Sequence, residues 1–446
     1  MAKLRIRGLC TSRLAPSRKG NELKQLALPA AICLVLLFCV VAAISAPAQS
    51  VAFTSLASFA GTNGANPQAP LVQATDGNFY GTTSNGGASN NCQHGCGTVF
   101  RMTAAGVVTT LHSFGGNDGS GPQAGLLQGA DGNFYGTAYG GGAYNNGTVF
   151  RITRSGALTT LHSFNVTDGS GPVGMLVEAS DGNFYGTTQF GGAFDFFGGT
   201  IFRITPSGTL TTLYSFCAQS GCTDGLDPLG GLVQASDGNF YGTTVLGGVN
   251  VGCGANSGCG TLFQITPAGT LTTLYSFCAQ PNCTDGTLPG QPLMQASDGN
   301  LYGTTTDGGT GPQCLGYPGC GTIFRTTLAG TITTLYSFQG SPDGSLPSGR
   351  LVQASDGNFY GTTYTGGTGG NCQLNCGTVF KVTPDGVLTI LHSFYGPDGS
   401  NPQSGVVLAR DGSFYGTTSR GGTYGYGTVF RMGVVQACAI CRPRAE

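Results

Sequence analysis

Leu351-Val352-Gln353-Ala354-Ser355-Asp356-Gly357-Asn358-Phe359-Tyr360-Gly361-Thr362-Thr363 is the stretch that decides the fold. An apolar run meets an Asp-Gly turn, and a run rich in aromatic and β-branched residues follows, which is a hairpin signal. Working outward, a Gly-rich segment leads to Gly377-Thr378-Val379-Phe380. Pro384-Asp385-Gly386 then turns the chain into Val387 to Phe394. The unit predicts four short antiparallel strands: Leu351 to Ala354, Asn358 to Thr363, Gly377 to Thr383 and Val387 to Phe394.

The same unit recurs along the chain. Asp-Gly-Asn-Phe-Tyr-Gly-Thr, with small changes, starts at Asp76, Asp131, Asp181, Asp237, Asp298, Asp356 and Asp411, at intervals of 50 to 61 residues. Gly-Thr-[Val/Ile/Leu]-Phe occurs seven times, and Leu-x-Ser-Phe follows only the first six copies. The missing seventh lies at the other end, where Thr54 to Phe59 matches Thr109 to Phe114. Four strands per repeat make a propeller blade. The circular shift predicts that the N-terminal strand completes the last blade, so residues 51–433 form one all-β, seven-bladed propeller. Closure also removes exposed sheet edges.

These motifs resemble the Gloeo/Verruco (GloVer) tandem-repeat family, over nearly all of the chain after residue 50. The resemblance implies an exported bacterial protein, a propeller, and no established activity. Many members look as if they end in a sorting or anchoring segment. Here fifteen residues follow Arg431, without an apolar helix, so C-terminal anchoring is not expected.

Composition agrees with many strands and turns. The chain of 446 residues holds 79 Gly and 21 Pro, with 9% charged and 10% aromatic residues. No Gly-X-Y period excludes collagen, recurring aromatics argue against disorder, and abundant Gly disfavours helices. Residues 1–48 read as a signal peptide: a basic start, an apolar run from Leu26 to Ala46, and Ala46-Pro47-Ala48 as a cleavage site. An uncleaved anchor is the alternative. Cys33 and Cys39 follow Ile32 and Phe38, which does not suit lipidation. Without the leader, twelve Lys and Arg face nineteen Asp and Glu, a net charge near −7. That excludes nucleic acid and an anionic membrane surface as electrostatic partners. The expectation is a secreted, periplasmic or cell-surface monomer, with residues 434–446 as a short tail.

In an antiparallel blade alternate loops share a face. The short, uniform turns lie on one side, and the long, variable loops on the other, as in Ser84 to Cys96 against Tyr139 to Asn146. Variation concentrated on one face points to binding there, although unconstrained drift gives the same pattern. Fourteen cysteines outside the leader form close pairs: Cys92 with Cys96, Cys217 with Cys222, Cys253 with Cys259, Cys278 with Cys283, Cys314 with Cys320, Cys372 with Cys376, and Cys438 with Cys441. The first six pairs sit in the variable-face loops, and the seventh in the tail. Close pairing in an exported chain predicts seven disulfides, of which six stiffen loops. Only His94 neighbours a pair, so no metal site and no cofactor are expected.

The acids are mostly used by the repeat. Besides the seven Asp-Gly landmarks, six start Asp-Gly-x-x-Pro (Asp118, Asp168, Asp224, Asp285, Asp343, Asp398), with Asn63 in the N-terminal copy. Asp195, Asp227, Asp307 and Asp385 remain. Glu178 replaces the Gln of Gln73, Gln128, Gln234, Gln295 and Gln353 (the seventh copy has Leu408) on the presumed inner strand, and is the weak site candidate. A tolerated Gln-to-Glu change is the simpler explanation. His112, His162 and His392 align with Tyr214, Tyr275 and Tyr336 and read as packing positions. No catalytic motif appears. The expectation is a non-catalytic binding or cell-envelope structural module, with polysaccharide or protein on the loop face that carries the Cys pairs. The alternative is an enzyme, a lyase or lactonase-like hydrolase, working at the channel mouth.

Overall fold

The seam between the chain ends carries the architecture. In a computed structural model, Val51–Ser58 pairs antiparallel with Thr428–Val434, placing Thr54 opposite Arg431 and Ser58 opposite Thr428. The Phe59 N–H then donates to the Gly427 carbonyl at 3.0 Å. The structure describes residues 51–434, except 195–196, 252, 254–257, 315–317, 370–371 and 373–375. The leader and nearly all of the tail therefore lie outside the described residues. So do Cys438 and Cys441, and the disulfide expected between Cys438 and Cys441 is not among the bridges described below.

Seven four-stranded antiparallel sheets form a seven-bladed propeller, with the N-terminal strand as the outer strand of the last blade. In the first blade the strands are Val72–Gln73, Phe79–Thr83, Thr98–Met102 and Val108–Ser113, from the channel outward. The sixth blade differs, because its inner strand runs from Ser345 to Gln353. The repeat unit read from the sequence matches these strands within a few residues, except at that longer inner strand. Two short 3-10 turns, Ser220–Cys222 and Pro281–Cys283, are the only helical segments among the described residues. None of these is long and apolar enough to cross a membrane.

The Asp-Gly landmark works twice. Asp76 Oδ1 accepts the Asn78 N–H at 3.0 Å and closes the turn, while Oδ2 accepts the Tyr80 hydroxyl at 2.8 Å. The same Tyr-to-Asp bond recurs in all seven blades. Burial opposes the charge on Asp76, but hydrogen bonds from Tyr80 and Asn78 outweigh it and hold the carboxyl below its usual value. Burial, and then the carboxylate beside it, push the Tyr80 phenol up to about 12. The glycine that follows has a steric cause. A Cβ on Gly81 would lie 2.7 Å from the Phe100 ring opposite it and 2.9 Å from Leu71, so only glycine seats that ring.

Two aromatic belts join the blades. Tyr80 stacks on Phe134 of the next blade at 4.1 Å between centroids, and Tyr415 closes the circle on Phe79 at 4.1 Å. Leu301 stands at one Phe position, so the Tyr241 seam has no such stack. Farther out, the Phe ending each outer strand meets the third-strand Phe of the next blade edge to face, at all seven seams. Each such pair adds about 0.5–1.5 kcal/mol beyond its buried area. Phe59, fully buried, supplies the closing seam through Phe100. Phe59→Ala is expected to cost about 3–5 kcal/mol in chemical denaturation. A loss below about 1 kcal/mol would mean that the seam does not hold the ring.

Candidate functional site: the channel and the cysteine-bearing loop face

The loops between second and third strands and those between blades meet on one face. They are laced by short bridges such as Ala65 to Asn85 and Ser120 to Gly140. All six disulfides among the described residues belong to these loops: Cys92–Cys96, Cys217–Cys222, Cys253–Cys259, Cys278–Cys283, Cys314–Cys320 and Cys372–Cys376. Six of the seven bridges expected from the sequence are therefore present, and the seventh, between Cys438 and Cys441, falls in the part of the tail that is not described. Cys96, Cys259, Cys320 and Cys376 are buried, so each of their bridges ties a loop to the core beneath it. Sulfurs of Cys253, Cys278 and Cys283 lie within 4.8 Å of one another. They belong to two bridges, so they offer thiolates to a metal only after reduction.

The second Asp motif anchors the blade-to-blade loops. Asp118 Oδ1 accepts the Gly115 N–H and Oδ2 pairs with His112 Nε2 at 2.7 Å. His162 meets Asp168 and His392 meets Asp398 in the same way. Where the histidine is replaced, Tyr214, Tyr275 and Tyr336 donate to Asp224, Asp285 and Asp343. The histidines are thus polar anchors, which their reading as packing positions leaves out. A signal is present in the sequence: in the N-terminal copy the His/Tyr position is Ala57 and the Asp is Asn63. Partner and acceptor change together.

The channel encloses a cavity of about 1120 Å³ lined by inner strands and the segments entering them. Near one mouth the Gln column forms a belt. Gln73, Gln128, Gln234, Gln295 and Gln353 each accept a backbone N–H from the preceding blade at 2.8–3.2 Å. Each also donates Nε2 to a glycine carbonyl of its own turn at 2.9–3.4 Å. Glu178 accepts the Ala130 N–H at 3.2 Å, so it is one strap of this belt. An ionised carboxylate cannot donate the second bond. At Leu408 the strap is missing, and Ser348 Oγ instead reaches the Pro402 carbonyl across that seam at 2.6 Å. Glu178→Gln is expected to raise stability by about 0.5–1 kcal/mol by restoring a donor. Calorimetry checks this, and a clear destabilisation would show that the carboxylate has another task.

Asp385 is exposed in a turn, where Thr383 holds its carboxyl below the usual range, and Asp195 lies outside the described residues. Asp227 and Asp307 break the repeat. Burial pushes both up to about 6, offset in part at Asp227 by a bond with Gln189. One buried oxygen of each has no partner. Asn66 and Asn401 occupy the position of Asp227, also at positive φ, and donate to carbonyls of Ser419 and Tyr364. Asn85 occupies the position of Asp307. The folded values lie above the unfolded one, so these acids destabilise the fold at neutral pH and the penalty vanishes in acid. Asp227→Asn and Asp307→Asn are each expected to add about 1–2 kcal/mol at pH 7, discounting for partial solvent access. The gain should be complete above about pH 6 and absent below about pH 4 in denaturation followed across pH. A gain independent of pH would refute this assignment.

The model of the Gloeobacter/Verrucomicrobia repeat matches residues 43–254, 91–315 and 251–437. No curated protein matches the chain. Among solved structures it is similar to a candidate 6-phosphogluconolactonase of Bacteroides uniformis, at 16% identity and TM-score 0.46, over 76% of this chain and 86% of that one. It is also similar to a protein of unknown function from Bacteroides thetaiotaomicron, at 12% identity and TM-score 0.45, over 86% and 76%. A candidate gluconolactonase gives 13% identity and TM-score 0.40, over 70% and 87%. At these values no residue role transfers.

Proposed function

The chain belongs to the Gloeobacter/Verrucomicrobia repeat family, and from that premise we propose that it is an exported, non-catalytic binding module for a neutral polysaccharide. The observation that carries this reading is where the exposed aromatic rings lie. Tyr139, Tyr144, Phe194, Tyr395, Tyr424 and Tyr426 are exposed, and all sit in loops of the cysteine-bearing face. Large exposed apolar side chains gathered on one side mark an interaction surface. Tyr offers an apolar face for a sugar ring and a hydroxyl for its substituents. Two loops of this face, Ser84 to Cys96 and Tyr139 to Asn146, the latter carrying Tyr139 and Tyr144, contain no Asp, Glu, Lys or Arg, whereas Asp195 follows Phe194 and Arg420 precedes Tyr424. Such a surface suits an uncharged ligand. Disulfides fit an oxidising compartment. The six among the described residues stiffen neighbouring loops of the same face rather than the loops that carry these rings.

The case against chemistry rests on occupancy. Thirteen repeat carboxylates already accept protein hydrogen bonds in the seven Asp-Gly landmarks and the six Asp-Gly-x-x-Pro loops. Glu178 is engaged by Ala130. Besides the exposed Asp385, the described carboxylates outside these tasks are Asp227 and Asp307, which the lyase or lactonase-like alternative would have to use.

Co-sedimentation of the mature protein with insoluble neutral glucans and mannans tests the reading. Binding is expected, and the triple variant Tyr144→Ala, Phe194→Ala, Tyr424→Ala should bind at least about tenfold more weakly while melting at the wild-type temperature. No binding to any neutral polysaccharide, or full binding by the triple variant, rejects it. Release of new reducing ends or unsaturated sugars would favour the enzyme.

A further inference from the structure

One residue of the channel is explained neither by the repeat nor by the loop face. Immediately before the inner-strand Leu or Val, the seven blades carry Pro70, Gly125, Met175, Gly231, Pro292, Arg350 and Gly405. Six are small or apolar, as a narrow passage requires. The sixth is an arginine, and the backbone around it is also exceptional. The inner strand of the sixth blade is nine residues long, and its pairing shifts register between Ser348 and Val352, with Arg350 inside the bulge. Bulges re-aim side chains, and they concentrate beside functional sites.

Arg350 lines the channel cavity. Solvent reaches the side chain, yet the crowded walls desolvate it and pull its pKa down. Among the described residues it has no ion pair, and no hydrogen bond is made by its guanidinium. The cavity wall contains no Asp or Glu; its only other charged residue is Arg410, in the Asp-Gly turn beside the Gln belt. Glu178 belongs to that belt and is held by Ala130. The same cavity wall holds apolar side chains, such as Leu351, Met175 and Pro292, and carboxamides. Gln291 is the nearest of these in connection: its Oε1 accepts the N–H of Gly349 at 2.8 Å, next to Arg350 in the bulge. That bond fixes the amide and leaves its Nε2 as a donor.

We propose that the channel is an anion site, in which the Arg350 guanidinium takes the carboxylate or phosphate of a small molecule, with Gln291 Nε2 as a second donor. A planar guanidinium presents paired donors that match either oxyanion. Walls of low polarity strengthen the attraction, and no neighbouring carboxylate competes for it. The cavity volume of about 1120 Å³ admits a sugar acid or sugar phosphate. This site is separate from the aromatic loop face, so failure of either reading leaves the other standing.

Isothermal titration calorimetry of the mature protein tests it. The probes are inorganic phosphate and galacturonate, with galactose as the neutral control and ionic strength held constant with chloride. Saturable binding of one or both anions, and none of galactose, is expected. Arg350→Met, which copies Met175, should weaken that binding at least about tenfold, Arg350→Lys should weaken it less, and Arg410→Gln at the mouth should leave it intact. The preference between phosphate and galacturonate identifies the source of the oxyanion. Absence of binding by either anion, equal binding by wild type and Arg350→Met, or equal dependence on Arg410 would overturn the proposal. Should Arg350→Met fail to fold, the Arg350→Lys and Arg410→Gln comparison decides alone: an unchanged affinity in Arg350→Lys, or a loss in Arg410→Gln, counts against it.

Discussion

The ring depends on one constraint: each small sheet has two apolar faces, and only its neighbours can cover them. A blade of two-, five-, five- and six-residue strands cannot bury Phe79 and Tyr80 by itself, because these adjacent side chains point to opposite faces. Phe79 needs Tyr415 on one side, and Tyr80 needs Phe134 on the other. The outer Phe pairs repeat this demand at a larger radius. Every blade is therefore incomplete until both neighbours are present, and the circle is the arrangement that leaves no face exposed. Splitting the last blade between the chain ends makes the final seam a strand ladder as well as a packing contact.

The same constraint is written into the sequence. Interactions made by every repeat leave a periodic trace, and the count of Leu-x-Ser-Phe, short by one at the end and restored at Thr54 to Phe59, encodes closure directly. The Asp-Gly turns and the pairing of the loop cysteines were equally legible, since both are local. Interactions between columns were not. The His112–Asp118 bond joins two positions each of which has its own sufficient local explanation, and only their joint change at Ala57 and Asn63 hints at it. The Gln belt is visible as a column, but its role between blades is not, because the N–H groups it satisfies carry no side-chain signature. Glu178 stands out in the sequence as the odd charge in a polar column. Arg350, an odd charge in an apolar column, is chemically the stranger substitution, and its bulge and its place on the channel wall appear only in the fold.

The repeat also constrains where function can lie. Landmark carboxylates hold a turn and a tyrosine, the Asp-Gly-x-x-Pro carboxylates hold a loop, and the glutamines hold the seams. Positions committed to seven equivalent tasks are poorly placed to acquire one unequal task. What remains is of two kinds: the loops, whose length the ring does not fix, and the few places where one blade departs from the rest.

Those departures are not energetically alike. Leu301 forfeits one aromatic stack and Leu408 one strap, and each loss is about 1 kcal/mol against a ring with several contacts at every seam. Asp227 and Asp307 are costlier at neutral pH, but they stand where asparagine serves other blades, which is the footprint of a single tolerated exchange. Arg350 fits neither description. Its guanidinium is exposed on the channel wall and has no protein acceptor among the described residues. Placing it there required a longer strand and a bulge as well as the charge itself. Packing does not call for that combination, since glycine, proline and methionine fill the same place elsewhere. An acceptor from outside the chain would give those paired donors a partner, and the cavity that Arg350 lines has room for one.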